Sequence, residues 1–177
     1  MARPDWEKLV LITDAYRAEQ AALHATGDYG KAGAGFGDVV SDMLIGVKAQ
    51  TLLDYGCGSR QSLRPALLVP VDYRGYDPAV AEYASDPEPA DCVACIDVLE
   101  HIEPEMLDQV LDHIRSKTIK RALFSVHLGP AGKTLSDGRN AHLIQKPPAW
   151  WLPKIMQRWE LLTYVRRKNS FVVALSA

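Results

Sequence analysis

Three aspartates close three apolar runs: Asp54 after Leu52 and Leu53, Asp77 after Tyr76, and Asp97 after Ile96. The first runs into Tyr55-Gly56-Cys57-Gly58-Ser59, where glycines without a Cβ let the backbone turn tightly and approach a ligand. A buried strand, a Gly-x-Gly turn and a capping Ser59 point to a nucleotide-type site at the carboxyl edge of a parallel sheet. Asp77 stands roughly 20 residues beyond the turn, the spacing of an acid that receives ribose hydroxyls. A carboxylate accepts at both oxygens and can hold a diol bidentately. Asp77 before Pro78 also suits a helix N-cap, and the two roles are compatible. For proton transfer the candidates are His101, His127 and His142, histidine being the usual general base. His127 closes a fourth apolar run and His142 lies in a long polar loop; both rank above His101, which with Glu100 also suits the start of a helix. No His/Cys cluster has zinc spacing, and no metal is expected. Cys92 and Cys95 lie on a strand, where positions three apart face opposite sides, so both are assigned to the core.

The elements that must position these residues alternate. Residues 5–23 carry a helical apolar stripe that includes Trp6, Leu9, Ile12, Tyr16 and Leu23, with Asp5 as N-cap. Residues 26–37 hold five glycines and read as a hinge or lid, with Tyr29 and Phe36 as its large side chains. A second helix over 38–47 leads into the first strand. Then come a short helix over 59–64 stopped by Pro65, a strand over 69–77, a helix over 79–84, a strand over 92–98 and an amphipathic helix over 104–117. A strand over 121–127 precedes the polar loop 128–146, whose length suits a lid or binding loop, here for a substrate with an anionic group. A helix over 148–159 and two strands, 161–166 and 170–175, close the chain; their tight link makes an antiparallel hairpin. The fold class is α/β: a doubly wound, mostly parallel sheet with N-terminal helices and a C-terminal antiparallel hairpin. One domain is expected, with residues 1–48 as a helical cap and glycine-rich lid and residues 49–177 as the core.

Bulk properties agree. The 177 residues are 47% hydrophobic and 24% charged, with a net charge of −2, which describes a globular chain without a general pull toward nucleic acid. Basic groups such as Arg166-Arg167-Lys168 read as solvated turns. There is no secretory h-region and no apolar stretch approaching about 20 residues, so a cytoplasmic location without membrane contact is expected. Nothing in the sequence bears on oligomeric state.

The runs Leu52-Leu53-Asp54-Tyr55-Gly56-Cys57-Gly58, Gly75-Tyr76-Asp77 and Cys95-Ile96-Asp97-Val98-Leu99-Glu100-His101-Ile102 resemble the motifs of class I S-adenosylmethionine-dependent methyltransferases. The Leu99-to-Ile102 run is similar to that of the branch containing the ubiquinone-biosynthesis O-methyltransferases, and residues 136–142 resemble short phage-encoded relatives. The resemblance implies a Rossmann-like methyltransferase fold and S-adenosylmethionine as cofactor. Asp54, Gly56 and Gly58 would line its methionine and ribose. Asp77 would hold the ribose hydroxyls, Pro78 and Ala79 would lie along the adenine, and Ile96, Asp97 and Val98 would border the transferred methyl. Two departures stand out. Arg60 replaces the usual third glycine and is placed to meet the cofactor carboxylate. The stretch between Asp77 and Asp91 is too short for the family's helix, strand and helix, so that strand and its adenine-contacting acid are expected to be missing or reduced to a few residues, with Asp86 or Ser85 as the substitute. The implied partner is a small-molecule methyl acceptor with an oxygen or nitrogen nucleophile. The alternatives are a catalytically silent cofactor- or partner-binding module and a nucleic-acid or protein methyltransferase. The Asn/Asp-Pro-Pro-aromatic motif of amino-directed DNA methyltransferases is absent after the third strand, where Asp97-Val98-Leu99 stands, so nucleic acid is the less expected acceptor.

Overall fold

The computed structural model describes residues 10–27 and 29–177. Six strands form one sheet: β1 (Thr51–Tyr55), β2 (Asp72–Tyr76), β3 (Ala90–Ile96), β4 (Thr118–His127), β5 (Glu160–Arg166) and β6 (Ser170–Ser176). Their order is β2-β1-β3-β4-β6-β5. The first four are mutually parallel, and β6 runs antiparallel to both β4 and β5. The reversed strand therefore lies one position in from the edge. Among the described residues no strand lies beyond β2, in keeping with the short stretch between Asp77 and Asp91.

Alternation along the buried strands sorts side chains onto two faces. Leu53, Tyr55, Val93, Cys95, Phe124 and Val126 pack against helix α3 (Leu107–Lys117) and helix α4 (Pro148–Met156). Leu52, Cys92, Ala94, Ile96 and Leu123 pack against helix α2 (Gly37–Gly46). Cys92 and Cys95 are thus buried on opposite faces, as their spacing requires.

Several helical expectations were too regular. Helix α1 is Asp14–Ala25, and residues 10–13 are not helical. Thr13 caps the helix in an extended conformation, accepting from the Tyr16 N–H, while its own N–H and hydroxyl donate to Glu103. That tether draws Leu11 and Ile12 out of the helical stripe and toward the interior. Asp5, Trp6 and Leu9 fall outside the described residues. Residues 59–63 turn instead of forming a helix, because Gly58 (φ 61°) and Gln61 (φ 46°) are left-handed and break the helical path. Pro65 sits in a short 3₁₀ helix, Arg64–Ala66, at a position where its missing N–H costs nothing. Residues 69–71 stay outside β2, since Pro70 has no N–H for the ladder. The helix expected over 79–84 shrinks to a 3₁₀ turn, Ala81–Tyr83.

The shortened stretch after β2 is pinned to α3. His113 donates from Nε2 to Asp86 Oδ1 at 2.8 Å, leaving Nδ1 to accept the Tyr55 hydroxyl at 2.8 Å, and Lys117 donates to Asp86 Oδ2 at 2.7 Å. Burial pushes the Asp86 carboxyl up, but the bonds from Lys117 and His113 outweigh it and hold its pKa below the usual range. Replacing Asp86 by Ala leaves a buried imidazole and a buried ammonium without their acceptor. We expect a loss of about 1–3 kcal/mol, read as a lower urea midpoint. Because the folded pKa is depressed, the wild-type advantage is present above the unfolded carboxyl pKa and disappears as pH falls through the folded value. A midpoint difference that persists unchanged to the acid limit would contradict this account.

Candidate functional site

The chain leaves β1, crosses to β2 at the edge, and returns to β3 on the other side of β1. The carboxyl ends of β1 and β3 therefore diverge at a switch point, where open α/β sheets bind ligands. A cavity of about 350 Å³ opens there. Its sheet-side wall contains Asp54, Gly56, Asp77, Pro78, Ala79, Ile96, Asp97 and Val98. His101, His127 and His142 line it as well. Gly58 is buried just behind the wall and donates its N–H to Asp77 Oδ2 at 3.0 Å. Arg60 is exposed and does not line the cavity.

Asp77 is held on two sides. Besides Gly58, the Ala79 N–H donates to its Oδ1 at 2.9 Å, so the carboxylate both closes the glycine turn and caps the turn after β2. Asp54 accepts the Tyr73 hydroxyl at 2.6 Å. Burial pushes the Asp54 carboxyl up to about 7, against the pull of that hydrogen bond. Asp97 adopts a left-handed φ of 52° at the end of β3 and accepts the Ser125 hydroxyl at 2.6 Å. A non-glycine residue in that region carries strain of the kind that gathers at binding sites.

Of the opposite wall only Tyr29 was legible, as a lid aromatic. Helix α1 and the segments flanking it contribute Ile12, Tyr16, Gln20, His24 and Tyr29. Gln20 donates to the Tyr16 hydroxyl, which donates to the His101 carbonyl. The Tyr29 hydroxyl meets His101 Nδ1 at 3.1 Å. His24 Nε2 lies 3.6 Å from Asp77 Oδ2, and burial lowers its pKa despite the pull of Asp77. Of the two lid aromatics, Tyr29 faces the cavity and Phe36 anchors in the core. The loop 128–146 adds Pro130, Ala131 and Gly132, and α1 clasps it through Glu19, which accepts from the backbone and hydroxyl of Ser136.

The three histidines come from separate elements yet meet: ring centroids are 4.6 Å apart for His101 and His142, and 5.0 Å for His127 and His142. His101 donates from Nδ1 to the Ala141 carbonyl at 2.8 Å, and His142 from Nδ1 to the Gly129 carbonyl at 2.7 Å. Burial, then the neighbouring His142, holds His101 down to about 3; burial also lowers His142. Glu100 lies directly behind them, fully buried. Its Oε1 accepts the His127 N–H at 2.8 Å, while Oε2 has no partner. Burial, then Asp97, raises the Glu100 carboxyl well above its ordinary pKa.

The model of the methyltransferase domain family matches residues 17–169. The chain belongs to that family. No curated protein sequence matches this methyltransferase. Among solved structures, magnesium protoporphyrin IX methyltransferase from Synechocystis PCC 6803, with bound SAH, is 16% identical. The match covers 81% of this chain and 82% of that one at a TM-score of 0.57. The 1,6-didemethyltoxoflavin-N1-methyltransferase of Burkholderia thailandensis is 16% identical over 99% of this chain and 91% of that one, at 0.56. An rRNA methylase from Escherichia coli is 14% identical over 93% and 77%, at 0.53. These likenesses establish the Rossmann-like methyltransferase fold. The acceptors named for them differ widely, so the fold does not select one. Among the described residues no helix is long and apolar enough to cross a membrane.

Proposed function

We propose that this methyltransferase moves the methyl group of S-adenosylmethionine to an oxygen or nitrogen nucleophile of a small molecule. The observation that carries the reading is the cavity itself. Asp54, Gly56 and Asp77 to Ala79 supply a nucleoside-binding wall, and Ile96 to Val98 lead from it to a histidine-lined end roofed by Tyr16, Gln20 and Tyr29. A roofed cavity of about 350 Å³ suits a small acceptor better than a polymer. Asp77 holds the ribose hydroxyls, Pro78 and Ala79 lie along the adenine, Asp54 and Gly56 face the methionyl part, and Gly58 orients Asp77 from behind.

The sulfonium is already a good leaving group, so alignment of nucleophile and methyl supplies much of the rate. A hydroxyl acceptor also needs a base. His101, held near 3, is a poor one; His127 and His142 are the better-placed pair. The ubiquinone-type branch, suggested by the Leu99-to-Ile102 run, fits an oxygen acceptor, and the cytoplasm fits the expected donor supply. A silent cofactor-binding module is the second reading. Its support is the sheet that ends at β2, without a strand to carry an adenine-contacting acid.

Calorimetry with S-adenosylmethionine and its demethylated product tests the donor, and transfer of labelled methyl into fractionated extract separates enzyme from silent module. Binding of neither ligand would sink the cofactor assignment. A pH series sharpens the test. The cofactor's ammonium and sulfonium favour an ionised Asp54, whose carboxyl stands near 7 in the free protein. Below that pH binding should release a proton, so affinity rises from pH 6 toward 7 and levels above. The same raised pKa makes Asp54 favour the folded state most below the unfolded carboxyl value, an advantage lost as pH climbs through 7. An affinity flat from pH 6 to 8, with no proton release in buffers of different ionisation enthalpy, would refute the role of Asp54.

A further inference from the structure

We propose that Glu100, His101 and His142 form a binding site for one first-row divalent transition-metal ion, open toward the histidine-lined end of the cavity. One ligand atom from each of the three side chains lies within 4.8 Å of the others. Donors about 2.0–2.2 Å from a common ion stand roughly 3–4 Å apart, so side-chain adjustments of about an ångström close the set.

Three independent observations point to an ion. The first is the unpartnered Glu100 Oε2. The residue has 0% exposure, and an oxygen buried without a partner is costly unless something else satisfies it. The second is tautomer. His101 and His142 each spend Nδ1–H on a backbone carbonyl, which leaves the lone pair on Nε2. This anchoring is how proteins orient imidazole ligands for a metal. The third is placement. His101 and His142 line the cavity, whereas Glu100 does not, so the carboxylate closes the site from behind and free coordination positions face the acceptor. His127, whose ring lies 5.0 Å from that of His142, brings a further imidazole to the rim.

The donor set chooses the ion class. Two imidazoles and one carboxylate suit zinc, manganese, iron or cobalt; an all-oxygen cage for magnesium or calcium is not what is assembled. Three protein ligands with open positions describe a working site more than a structural one. Its role rests on the methyl-transfer reading: the ion would hold and acidify an oxygen donor of the acceptor beside the transferred methyl, in place of His142 as a base and with His127 left for proton transfer. Binding of the ion does not rest on that reading.

The test uses chelator-treated full-length protein titrated with zinc, manganese or cobalt chloride. One equivalent should bind, and cobalt should show visible ligand-field bands of a nitrogen- and oxygen-coordinated ion. His142→Ala should weaken binding at least tenfold. Glu100→Gln keeps the acceptor for the His127 N–H and should weaken it comparably. Circular dichroism and calorimetry with S-adenosylmethionine on the same samples report folding and the donor site separately. No saturable binding of any of the three ions by folded wild-type protein would overturn the site. So would binding that both folded variants retain in full. Loss of S-adenosylmethionine binding with metal binding intact would overturn the donor assignment and leave the site standing.

Discussion

Replacing Asp77 by Ala should weaken S-adenosylmethionine binding on the order of 100-fold while leaving a folded protein. The size follows from what the carboxylate does. Its two oxygens already accept from Gly58 and Ala79 and have lone pairs left for ribose hydroxyls. Hydrogen bonds to a charged group are worth about 1.5–3 kcal/mol each, so losing a diol removes roughly two decades or more of affinity. Asn in its place keeps one acceptor and should lose less. A structural role alone gives a different pattern, because both variants would then lower the urea midpoint while any protein that remained folded bound normally. Calorimetry on folded protein decides between them, and an affinity within threefold of wild type would refute the ribose role.

Asp77 also shows what was legible in the chain. Its type, its distance from the glycine turn and the apolar run before it are local facts, and local facts place it at the end of β2 beside that turn. The same holds for Asp54, for Asp97 and for the opposed Cys92 and Cys95. Parallel strands buried on both faces read as apolar runs, and the runs carry their strand-end residues with them. The opposite wall carries no such signal. Tyr16, Gln20 and His24 sit on an amphipathic helix, where a polar residue facing a cavity looks like one facing water. Their position depends on how α1 docks, which Thr13 fixes through Glu103, a residue far away in sequence. The three histidines were each legible as candidates, but that they meet was hidden for a related reason. Glu100 and His101 follow β3, His127 ends β4 and His142 lies in an irregular loop, so no spacing rule joins them. Arg60 shows the converse. Its register position was legible, but the left-handed Gln61 beside it belongs to a turn that leaves Arg60 at the surface.

Gly56→Ala should cost about 2–5 kcal/mol and show as a large fall in urea midpoint. Two separable causes add. Gly56 has a φ of 82°, where a side chain costs about 1–2 kcal/mol. A Cβ there would also stand 2.4 Å from Val98 Cγ2 and 2.8 Å from Cγ1, an overpacking worth about 1–3 kcal/mol. Adding Val98→Ala removes both Cγ atoms and should return the steric part but not the backbone part. The double variant should therefore be less destabilised than additivity predicts, with Gly56→Ala costing only about 1–2 kcal/mol in the Val98→Ala background. Strict additivity would mean that the ends of β1 and β3 do not touch as described. The contact explains why the turn needs a glycine at that point. The chain must reverse against Val98 at the switch point while the Gly56 and Cys57 N–H groups donate to the Tyr76 carbonyl at the end of β2. Three strand ends meet there, and a single Cβ would push them apart at the place where Asp54, Asp77 and Asp97 line one cavity.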